Sequence, residues 1–344
     1  MKKYISFESD YITGAHPEVL KWLTQTNAEV LTGYGTDIYT ERAKEKIKKA
    51  CNCSDAEVFF ISGGTQTNAV VISTMLKSYE GVISCDTGHI HVHEAGAVEY
   101  TGHKVIALKG ENGKLIPKNV SDYIKAFYKD PSCTHMAYPG MVYISHPTEY
   151  GTLYTKSELQ ELSEICREYK IPLFMDGARL GYGLMSDDTD VTLEDVAKLC
   201  DVFYIGGTKM GTLCGEAVVF NGNSAPACFM TMVKQRGAML AKGRLLGVQF
   251  DALFTDDLYF KIGKHGIETA KILKEVLKNK GYELYMDSHT NQQFPIVSNK
   301  KLSELDGLLG YSLWERLDSE HSVIRLATCW STTDDDIYAL EELL

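Results

Sequence analysis

A lysine follows an apolar run and two glycines in the segment Phe203-Tyr204-Ile205-Gly206-Gly207-Thr208-Lys209-Met210-Gly211. The apolar run predicts a strand, and similar runs recur between residues 57 and 220. Several are apolar on both faces, which is typical of strands buried between two layers of helices. The predicted strands are Glu57–Ile61, Val82–Asp86, Lys104–Leu108, Met141–His146, Ile171–Met175, Asp201–Ile205 and Ala217–Phe220.

Segments with helical periodicity separate these strands, for instance Thr65–Tyr79, Lys118–Tyr128 and Lys156–Lys170. Alternation of this kind predicts an α/β fold, in which a mainly parallel central sheet carries helices on both faces.

The pattern changes after Phe220, where longer helical segments precede short strands. The predicted elements are the helices Pro226–Leu240 and Leu258–Lys280, the strands Tyr282–Tyr285, Gln293–Val297 and Val323–Ala327, and the acidic helix Asp334–Leu344. We therefore expect a large domain over residues 1–255 and a smaller α+β domain over residues 256–344, joined by the helix near 258–280.

Composition and charge narrow the classes of partner. The 344 residues carry a net charge of −11, which argues against nucleic acid or an anionic membrane, because both bind clustered Lys and Arg. No apolar run reaches the roughly 18 residues of a membrane span, and the first residues lack the apolar core of a signal peptide. Nine irregularly spaced cysteines suit reduced thiols and predict a cytoplasmic protein. Cys51 and Cys53 have no second pair, so no zinc site is expected there.

Lys209 should lie at the carboxyl edge of the sheet, where α/β folds bind ligands. The flanking glycines allow the backbone to approach a ligand closely. An ammonium that is desolvated at such a place loses its proton more readily, as a Schiff-base nucleophile requires. The alternative is a solvated loop lysine without chemistry.

A carboxylate is expected at the same edge, in Leu173-Phe174-Met175-Asp176-Gly177-Ala178-Arg179. Asp176 follows an apolar strand, and Arg179 can present a planar fork to a carboxylate. The alternative is that Asp176 caps the next segment while Arg179 forms a surface ion pair.

A phosphate site is indicated by Ser62-Gly63-Gly64-Thr65, which joins a strand to a helix. Unpaired N–H groups and the positive end of the dipole at a helix start attract phosphate, and Thr65 adds a hydroxyl. The segment matches neither of the common nucleotide motifs, so a nucleotide is not favoured.

Three alternating histidines occur in Gly88-His89-Ile90-His91-Val92-His93-Glu94. On the helix that the following residues predict, only His89 and His93 share a face, and no third ligand is evident. We therefore expect no metal, and instead one imidazole that stacks on the ring of a cofactor.

The order of these four elements resembles that of fold-type-I enzymes that use pyridoxal 5′-phosphate (PLP), and specifically the threonine aldolases of the aromatic-amino-acid β-eliminating lyase superfamily. The resemblance spans nearly the whole chain. It includes Ser9-Asp10, Tyr34-Gly35-Thr36-Asp37 and Ile324-Arg325-Leu326-Ala327-Thr328-Cys329-Trp330.

The resemblance implies a role for each matching residue. Lys209 would bond the cofactor, Asp176 would pair with its pyridine nitrogen, and His89 would stack on its ring. Further cofactor contacts are implied for Gly63, Gly64, Thr65, Arg179 and Thr208, and substrate contacts for Ser9, Tyr34, Arg179 and Arg325.

Some positions depart from the family pattern. A second active-site histidine is common in the family, whereas this chain has Pro147-Thr148-Glu149-Tyr150-Gly151. Glu149, or the neighbouring His146, is the expected substitute as catalytic base. Thr208 replaces a usual Ser, and Cys329 replaces a common His. The basic stretch from Lys234 to Arg244 is expected to supply a cation to the phosphate, from this chain or a neighbouring subunit.

The implied activity is cleavage of L-threonine or L-allo-threonine to glycine and an aldehyde, in a homodimer or homotetramer with shared active sites. Three alternatives remain open. They are a PLP-dependent β-eliminating lyase acting on an aromatic or sulfur amino acid, an aminotransferase, and a non-catalytic or metal-binding protein.

Overall fold

The chain forms two main sheets in the computed structural model, which describes residues 4–344. The strands are β1 (Ile5–Ser6), β2 (Glu57–Ile61), β3 (Glu80–Cys85), β4 (Val105–Leu108), β5 (Tyr138–Ser145), β6 (Leu173–Asp176), β7 (Val202–Gly206), β8 (Glu216–Phe220), β9 (Leu284–Met286), β10 (Gln292–Ser298), β11 (Leu309–Gly310), β12 (Ser312–Arg316) and β13 (His321–Ala327).

The helices surround these sheets. They are α1 (Pro17–Thr26), α2 (Ile38–Ala50), α3 (Gly64–Met75), α4 (His89–Val92), α5 (Ala97–Tyr100), α6 (Pro117–Lys129), α7 (Lys156–Tyr169), α8 (Leu180–Leu184), α9 (Leu193–Leu199), α10 (Phe229–Gln235), α11 (Arg244–Leu253), α12 (Leu258–Asn279), α13 (Asn299–Leu305) and α14 (Asp334–Leu343), with short 3₁₀ turns at Cys133–His135, Thr208–Met210 and Asn221–Asn223.

The large sheet has seven strands in the order β2-β8-β7-β6-β5-β3-β4. The pairs between β7 and β4 are all parallel, whereas β8 runs antiparallel to both β2 and β7. The predicted α/β fold with a mainly parallel sheet is confirmed. Because parallel strands end at one edge, β6 and β7 deliver the residues that follow them to the same place.

Both faces of this sheet are buried, as the apolar runs predict. Along β5, Val142 and Ile144 belong to one hydrophobic core and Met141 and Tyr143 to the other. Neighbouring side chains of a strand point to opposite faces, so every position of a doubly covered strand must be compatible with burial.

The C-terminal unit is built on a four-stranded antiparallel sheet in the order β12-β13-β10-β9. Its core also receives Ile5 and Phe7 from the start of the chain, and β1 pairs with β11. The predicted boundary between residues 255 and 256 stays a prediction, but the N-terminal strand packs with the C-terminal unit.

Helix α12 links the two units. Gly263 lies so close to α8 that a Cβ there would be 2.3 Å from the carbonyl oxygen of Gly181. Farther along the same helix, Leu273, Val276 and Leu277 enter the C-terminal core. Helix α12 therefore packs against both the large unit and the C-terminal core. The predicted role of the segment near 258–280 as the connector between two domains stays a prediction.

Helix α10 is shorter than the segment Pro226–Leu240 predicted as helical. Gly237 has a φ of +68°, and the N–H of Ala238 donates to the carbonyl of Val233 at 2.9 Å. This bonding pattern is that of a glycine-terminated helix end, which stops α10 at Gln235. Apolar residues beyond a helix end pack against the core without being helical, so their periodicity overstated its length.

Among residues 4–344, no helix combines the length and the apolar content that a membrane span requires.

Candidate active site

Two adjoining cavities lie at the carboxyl edge of the large sheet. The Asp176 cavity, of about 220 Å³, is lined by Gly63, Gly64, Thr65, Asp176, Thr208 and Glu216 among others. The Arg325 cavity, of about 610 Å³, is lined by Tyr11, His93, Tyr150, Trp314 and Arg325 among others. His89, Glu149, Arg179 and Lys209 line both cavities. Most of the predicted site residues therefore meet in one place.

Glycines allow the two loops that carry Asp176 and Lys209 to touch. A Cβ on Gly177 would lie 2.0 Å from the carbonyl oxygen of Tyr204, and one on Gly206 would lie 2.3 Å from the carbonyl oxygen of Ala178. Any side chain at either position would push the loops apart. The sequence pattern Asp-Gly and Gly-Gly-Thr-Lys thus has a steric cause.

Lys209 lies in the 3₁₀ turn that follows β7. Burial lowers the pKa of its amine, and the nearby guanidinium of Arg179 lowers it further, while neighbouring carboxylates oppose both effects. Its Nζ lies 5.9 Å from the centre of the Tyr11 ring, and its carbonyl accepts a 2.8 Å bond from the Tyr182 hydroxyl. A fixed backbone and a low pKa are what a nucleophilic amine needs.

Asp176 ends β6 and is 4% exposed. It accepts bonds from the hydroxyl of Tyr143 at 2.6 Å, from Asn68 Nδ2 at 3.1 Å and from the N–H of Ala178 at 3.0 Å. Burial alone would raise the pKa of this carboxyl, but the charge of His89 and the bonds from tyrosine hydroxyls outweigh it and hold the pKa below its usual range. Asp176 is therefore a buried, ionised carboxylate that can pair with a cation in the cavity.

His89 begins the short helix α4 and is oriented by a buried carboxylate. Its Nδ1 lies 2.8 Å from Glu94 Oε1, and the same oxygen accepts from Asn68 Nδ2 at 2.7 Å. Burial lowers the pKa of His89, yet the bond to Glu94 and the charge of Asp176 raise it overall. The imidazole is thus fixed at the cavity wall, where it can cover a flat ring.

The other two histidines of the run do not enter the Asp176 cavity. His93 lines the Arg325 cavity, with its ring centre 5.7 Å from that of His89. Within residues 4–344, no group of three or more His, Cys, Asp or Glu side chains is arranged to hold a metal ion.

The start of α3 borders the Asp176 cavity through Gly63, Gly64 and Thr65. Gly63 is extended and offers no side-chain cap to the helix. A Cβ at Gly64 would lie 3.1 Å from the Tyr204 hydroxyl, so a side chain would fill part of this cradle. The arrangement suits an anion at the helix N-terminus.

Glu149 takes the place where the family pattern has a histidine. Its Oε1 accepts from Ser145 Oγ at 2.6 Å and from the N–H of His89 at 3.0 Å. Burial raises the pKa of this carboxyl. His146, the other predicted base, is fully buried, does not line either cavity, and has a pKa lowered to about 4 by burial. Of the two predicted bases, Glu149 borders both cavities and His146 borders neither.

Arg179 is paired with Asp10, a contact that the sequence did not indicate. Its Nε and Nη2 donate to the two oxygens of Asp10 at 2.7 and 2.9 Å. Burial lowers the pKa of Arg179, and the charge of Asp10 raises it overall. Ser9 donates to Asp10 at 3.4 Å. The pair is buried, unlike the surface ion pair considered as an alternative, and it leaves the Nη1 edge of the guanidinium for a ligand.

Arg325 lines the Arg325 cavity together with Lys209. Its Nη2 donates to the hydroxyl of Ser312 at 3.0 Å, and its guanidinium carbon lies 5.5 Å from the Trp314 ring centre. Burial lowers the pKa of Arg325, and the charge of Arg179 lowers it further. Two guanidinium groups that repel each other across a cavity form a site for an anion such as a carboxylate.

Tyr34 and the basic stretch lie elsewhere in the chain. Tyr34 is 51% exposed and borders a separate hollow, with Lys234 Nζ 4.6 Å from its ring centre. Arg244 donates to the carbonyls of Thr26 and Glu29. Neither Tyr34 nor a cation of the 234–244 stretch lines the two cavities of the same chain. Their predicted contacts with substrate and phosphate stay predictions.

Sequence reasoning missed several residues that organise the site. They are Asp10, Asn68, Glu94, Tyr143, Tyr204, Glu216 and Trp314. Asn68 follows Thr65 by three residues on a predicted helix, so the two side chains share a face. This spacing alone predicts that Asn68 lies near the phosphate site. Tyr143 and Tyr204 lie within apolar strands and look like core residues. Their hydroxyl groups are the signal, because a buried hydroxyl needs a partner.

The family model described as beta-eliminating lyase matches residues 6–300. This chain belongs to the beta-eliminating lyase family. Family members depend on PLP, and PLP is accordingly the cofactor of this chain.

Individual relatives agree with this assignment. A low specificity L-threonine aldolase from Pseudomonas sp. is 31% identical over 303 residues, which cover 87% of this chain and 86% of the relative. A solved structure of Leishmania major threonine aldolase is 41% identical, covers 99% of this chain and 98% of that chain, and superposes with a TM-score of 0.95. An aspartate aminotransferase from Thermus thermophilus, at 12% identity and a TM-score of 0.71, shares the fold alone. The predicted fold-type-I architecture is confirmed.

The residues of the Asp176 cavity fit PLP. Three groups border this cavity: the Lys209 amine, whose pKa is lowered, the ionised carboxylate of Asp176, and the glycines at the start of α3. These are the partners that an aldehyde, a pyridine nitrogen and a phosphate require.

Proposed function

We propose that this chain is a PLP-dependent threonine aldolase, which cleaves L-threonine, L-allo-threonine and related β-hydroxy-α-amino acids between Cα and Cβ, giving glycine and an aldehyde. One observation carries the proposal. Lys209, Arg179 and the buried base Glu149 line both the Asp176 cavity and the Arg325 cavity, so a cofactor and a carboxylate-bearing substrate can meet there. The named relatives support the same activity.

The residues of the Asp176 cavity would hold the cofactor. Lys209 would bond its aldehyde group, Asp176 would pair with the protonated pyridine nitrogen, and His89 would pack against the ring. Gly63, Gly64, Thr65 and Thr208 would bind the phosphate. Bound PLP supplies an electron-accepting ring that stabilises negative charge at the substrate Cα.

The substrate carboxylate binds between Arg179 and Arg325. Asp10 fixes the plane of Arg179, and Trp314 lies beside Arg325. Two fixed guanidinium groups orient the substrate, which determines which bond of Cα is aligned for cleavage. Ser9 and Tyr34 remain predicted substrate contacts.

Glu149 removes the proton of the β-hydroxyl group. Its Oε1 is held by Ser145 and His89, so Oε2 is the oxygen that takes the proton. Because burial raises its pKa, this carboxylate is a stronger base than an exposed one. The deprotonated oxygen then forms the C=O bond of the aldehyde as the Cα–Cβ bond breaks. The electron pair of that bond stays on Cα, which takes up a proton to give glycine.

β-Elimination from an aromatic amino acid is the second candidate. It would use the same cofactor contacts, and the rings of Tyr11, Tyr150 and Trp314 along the Arg325 cavity would suit a flat side chain. Purified protein supplied separately with L-threonine, L-allo-threonine, L-serine, L-tyrosine and L-tryptophan distinguishes the two reactions. Glycine with an equal amount of aldehyde supports aldol cleavage, whereas pyruvate with ammonia, and no aldehyde, refutes it in favour of elimination.

We also propose a homodimer or homotetramer with shared active sites. Tyr34 and Lys234 lie together away from the cavities of their own chain, where a neighbouring copy could use them. A cytoplasmic location is proposed too, because all nine cysteines are free thiols, as a reducing compartment keeps them.

A further inference from the structure

Glu216 is a buried carboxylate to which the proposed reaction gives no role. It is the first residue of β8, is 4% exposed and lines the Asp176 cavity together with Lys209. Burying an acidic side chain is costly unless its charge has partners. Its position beside the reactive amine therefore needs an explanation.

The carboxylate of Glu216 is bonded to the segment that carries Lys209. Glu216 pairs with Gly206 across β7 and β8, and its Oε2 accepts from the N–H of Gly207 at 3.0 Å. The Thr208 hydroxyl accepts from the N–H of Gly215 at 3.1 Å, next to Glu216 in the chain. Glu216 thus holds the backbone of Gly207 directly, two residues before Lys209.

The titratable groups that act on Glu216 come from several elements. They are Lys209 after β7, Asp176 at the end of β6, Tyr204 within β7, Cys214 before β8 and Tyr259 on α12. Burial is the strongest influence and raises the pKa of Glu216 to about 7, with Asp176 acting in the same direction and Lys209 opposing it.

Three carboxylates favour a positive charge on Lys209, namely those of Asp10, Asp176 and Glu216. Ion pairing with Arg179 helps hold the pKa of Asp10 at about 2 despite burial, and the pKa of Asp176 also lies below its usual range. Those two remain charged at any pH near neutral. Glu216 is the member of the three whose charge changes there.

We propose that Glu216 is a positioning residue for Lys209. Its carboxylate holds the turn that carries the lysine, and its charge acts on the lysine nitrogen within the same cavity. The proposal rests on the proposed role of Lys209 as the cofactor-bearing residue. It adds a neighbouring carboxylate, that of Glu216, which acts on the charge of the lysine nitrogen.

The test is the pH titration of the visible absorption band of the PLP-loaded protein, which reports the proton on the nitrogen of residue 209. Glu216→Gln keeps an oxygen that can accept from Gly207 but removes the charge. The charge of Glu216 raises the pKa of the Lys209 amine, and a neighbouring opposite charge shifts a pKa by about one unit or more, so the midpoint should fall by about one unit. Glu216→Asp, which restores the charge, should bring the midpoint back toward that of the parent protein.

Glu57→Gln is the matched control. Glu57 Oε2 also accepts a backbone N–H bond at 3.0 Å, from Ala225, and Glu57 begins β2, which pairs with β8. This variant should titrate as the parent does. An unchanged midpoint in Glu216→Gln would overturn the proposal and leave Glu216 a structural residue, whose loss lowers only the melting temperature.

A reciprocal measurement covers the case in which Glu216→Gln does not fold. In Lys209→Met the amine is absent, so the pKa of Glu216 should rise, which the infrared band of its protonated carboxyl group reports. No rise would contradict the proposal. A parent protein that binds PLP without a visible band from Lys209 would instead refute the proposed function, so the two failures are distinguishable.

Discussion

At the scale of single residues, Glu149 is the side chain whose chemistry the proposal uses most. The change Glu149→Gln preserves its size and an oxygen for Ser145, but removes the base. We expect kcat for L-threonine to fall about 10²- to 10⁴-fold with KM little changed, because the amide cannot take the β-hydroxyl proton. Steady-state kinetics of aldehyde release measure this.

The pH profile provides an independent check on Glu149. A base works when ionised, so activity should be lost as the pH falls through its pKa, which burial places above the usual range of a glutamate. Glu111→Gln, a change at an exposed turn, is the control and should leave the profile unaltered. Full activity of Glu149→Gln would show that another group is the base.

Asp10 is expected to stabilise the fold through its buried ion pair with Arg179. Replacing it by Asn leaves the buried Arg179 without its charge partner, which should lower the free energy of unfolding at neutral pH by about 3–5 kcal/mol. Asp187→Asn, in an exposed pair with Lys271, should cost about 0–1 kcal/mol. Urea denaturation compares the two variants.

The pH dependence of that loss has a defined sign. The pKa of Asp10 falls from 3.8 to about 2 on folding, so the pair stabilises the fold above about pH 4. This part of the stability is lost as the pH falls toward 2, so the difference in free energy of unfolding between the parent and Asp10→Asn proteins should shrink over that range. A constant difference down to the lowest pH would contradict the assigned ion pair.

At the scale of secondary structure, the strands of the large sheet were predictable, whereas β12 was not. The large-sheet strands are apolar at nearly every position because both of their faces are buried. In β12, Ser312–Arg316, no position is fully buried and Leu313 is exposed, so neither an apolar run nor an alternation marks it. Yet this strand brings Trp314 to Arg325.

Trp314 therefore gives a prediction for β12. Its ring contacts Arg325, Tyr150 and His93. A cation–π contact is worth about 0.5–2 kcal/mol, so Trp314→Ala should raise KM for L-threonine about 2- to 30-fold with kcat nearly unchanged. Leu317→Ala, at an exposed position nearby, is the control. A large loss of kcat with an unaltered KM would show that Trp314 does not act through substrate binding.

At the scale of the whole molecule, the site is assembled from contacts that no local pattern contains. Asp10 and Arg179 are 169 positions apart. Asn68 bonds both Glu94, 26 positions away, and Asp176, 108 positions away. Sequence motifs predicted Lys209, Asp176 and the Gly-Gly-Thr turn because each follows a strand at one sheet edge. The partners of those residues depend on how helices cross that edge, which the motifs do not specify.

The covalent attachment of PLP at residue 209 is the claim on which the whole account depends. The direct measurement is borohydride reduction of the purified holoenzyme, followed by peptide mapping, with Lys209→Ala in parallel. We expect the reduced cofactor on the peptide that contains Lys209, and neither a visible band nor aldehyde release in the variant. Recovery of the label on another lysine, or an unaltered spectrum in Lys209→Ala, would contradict the account.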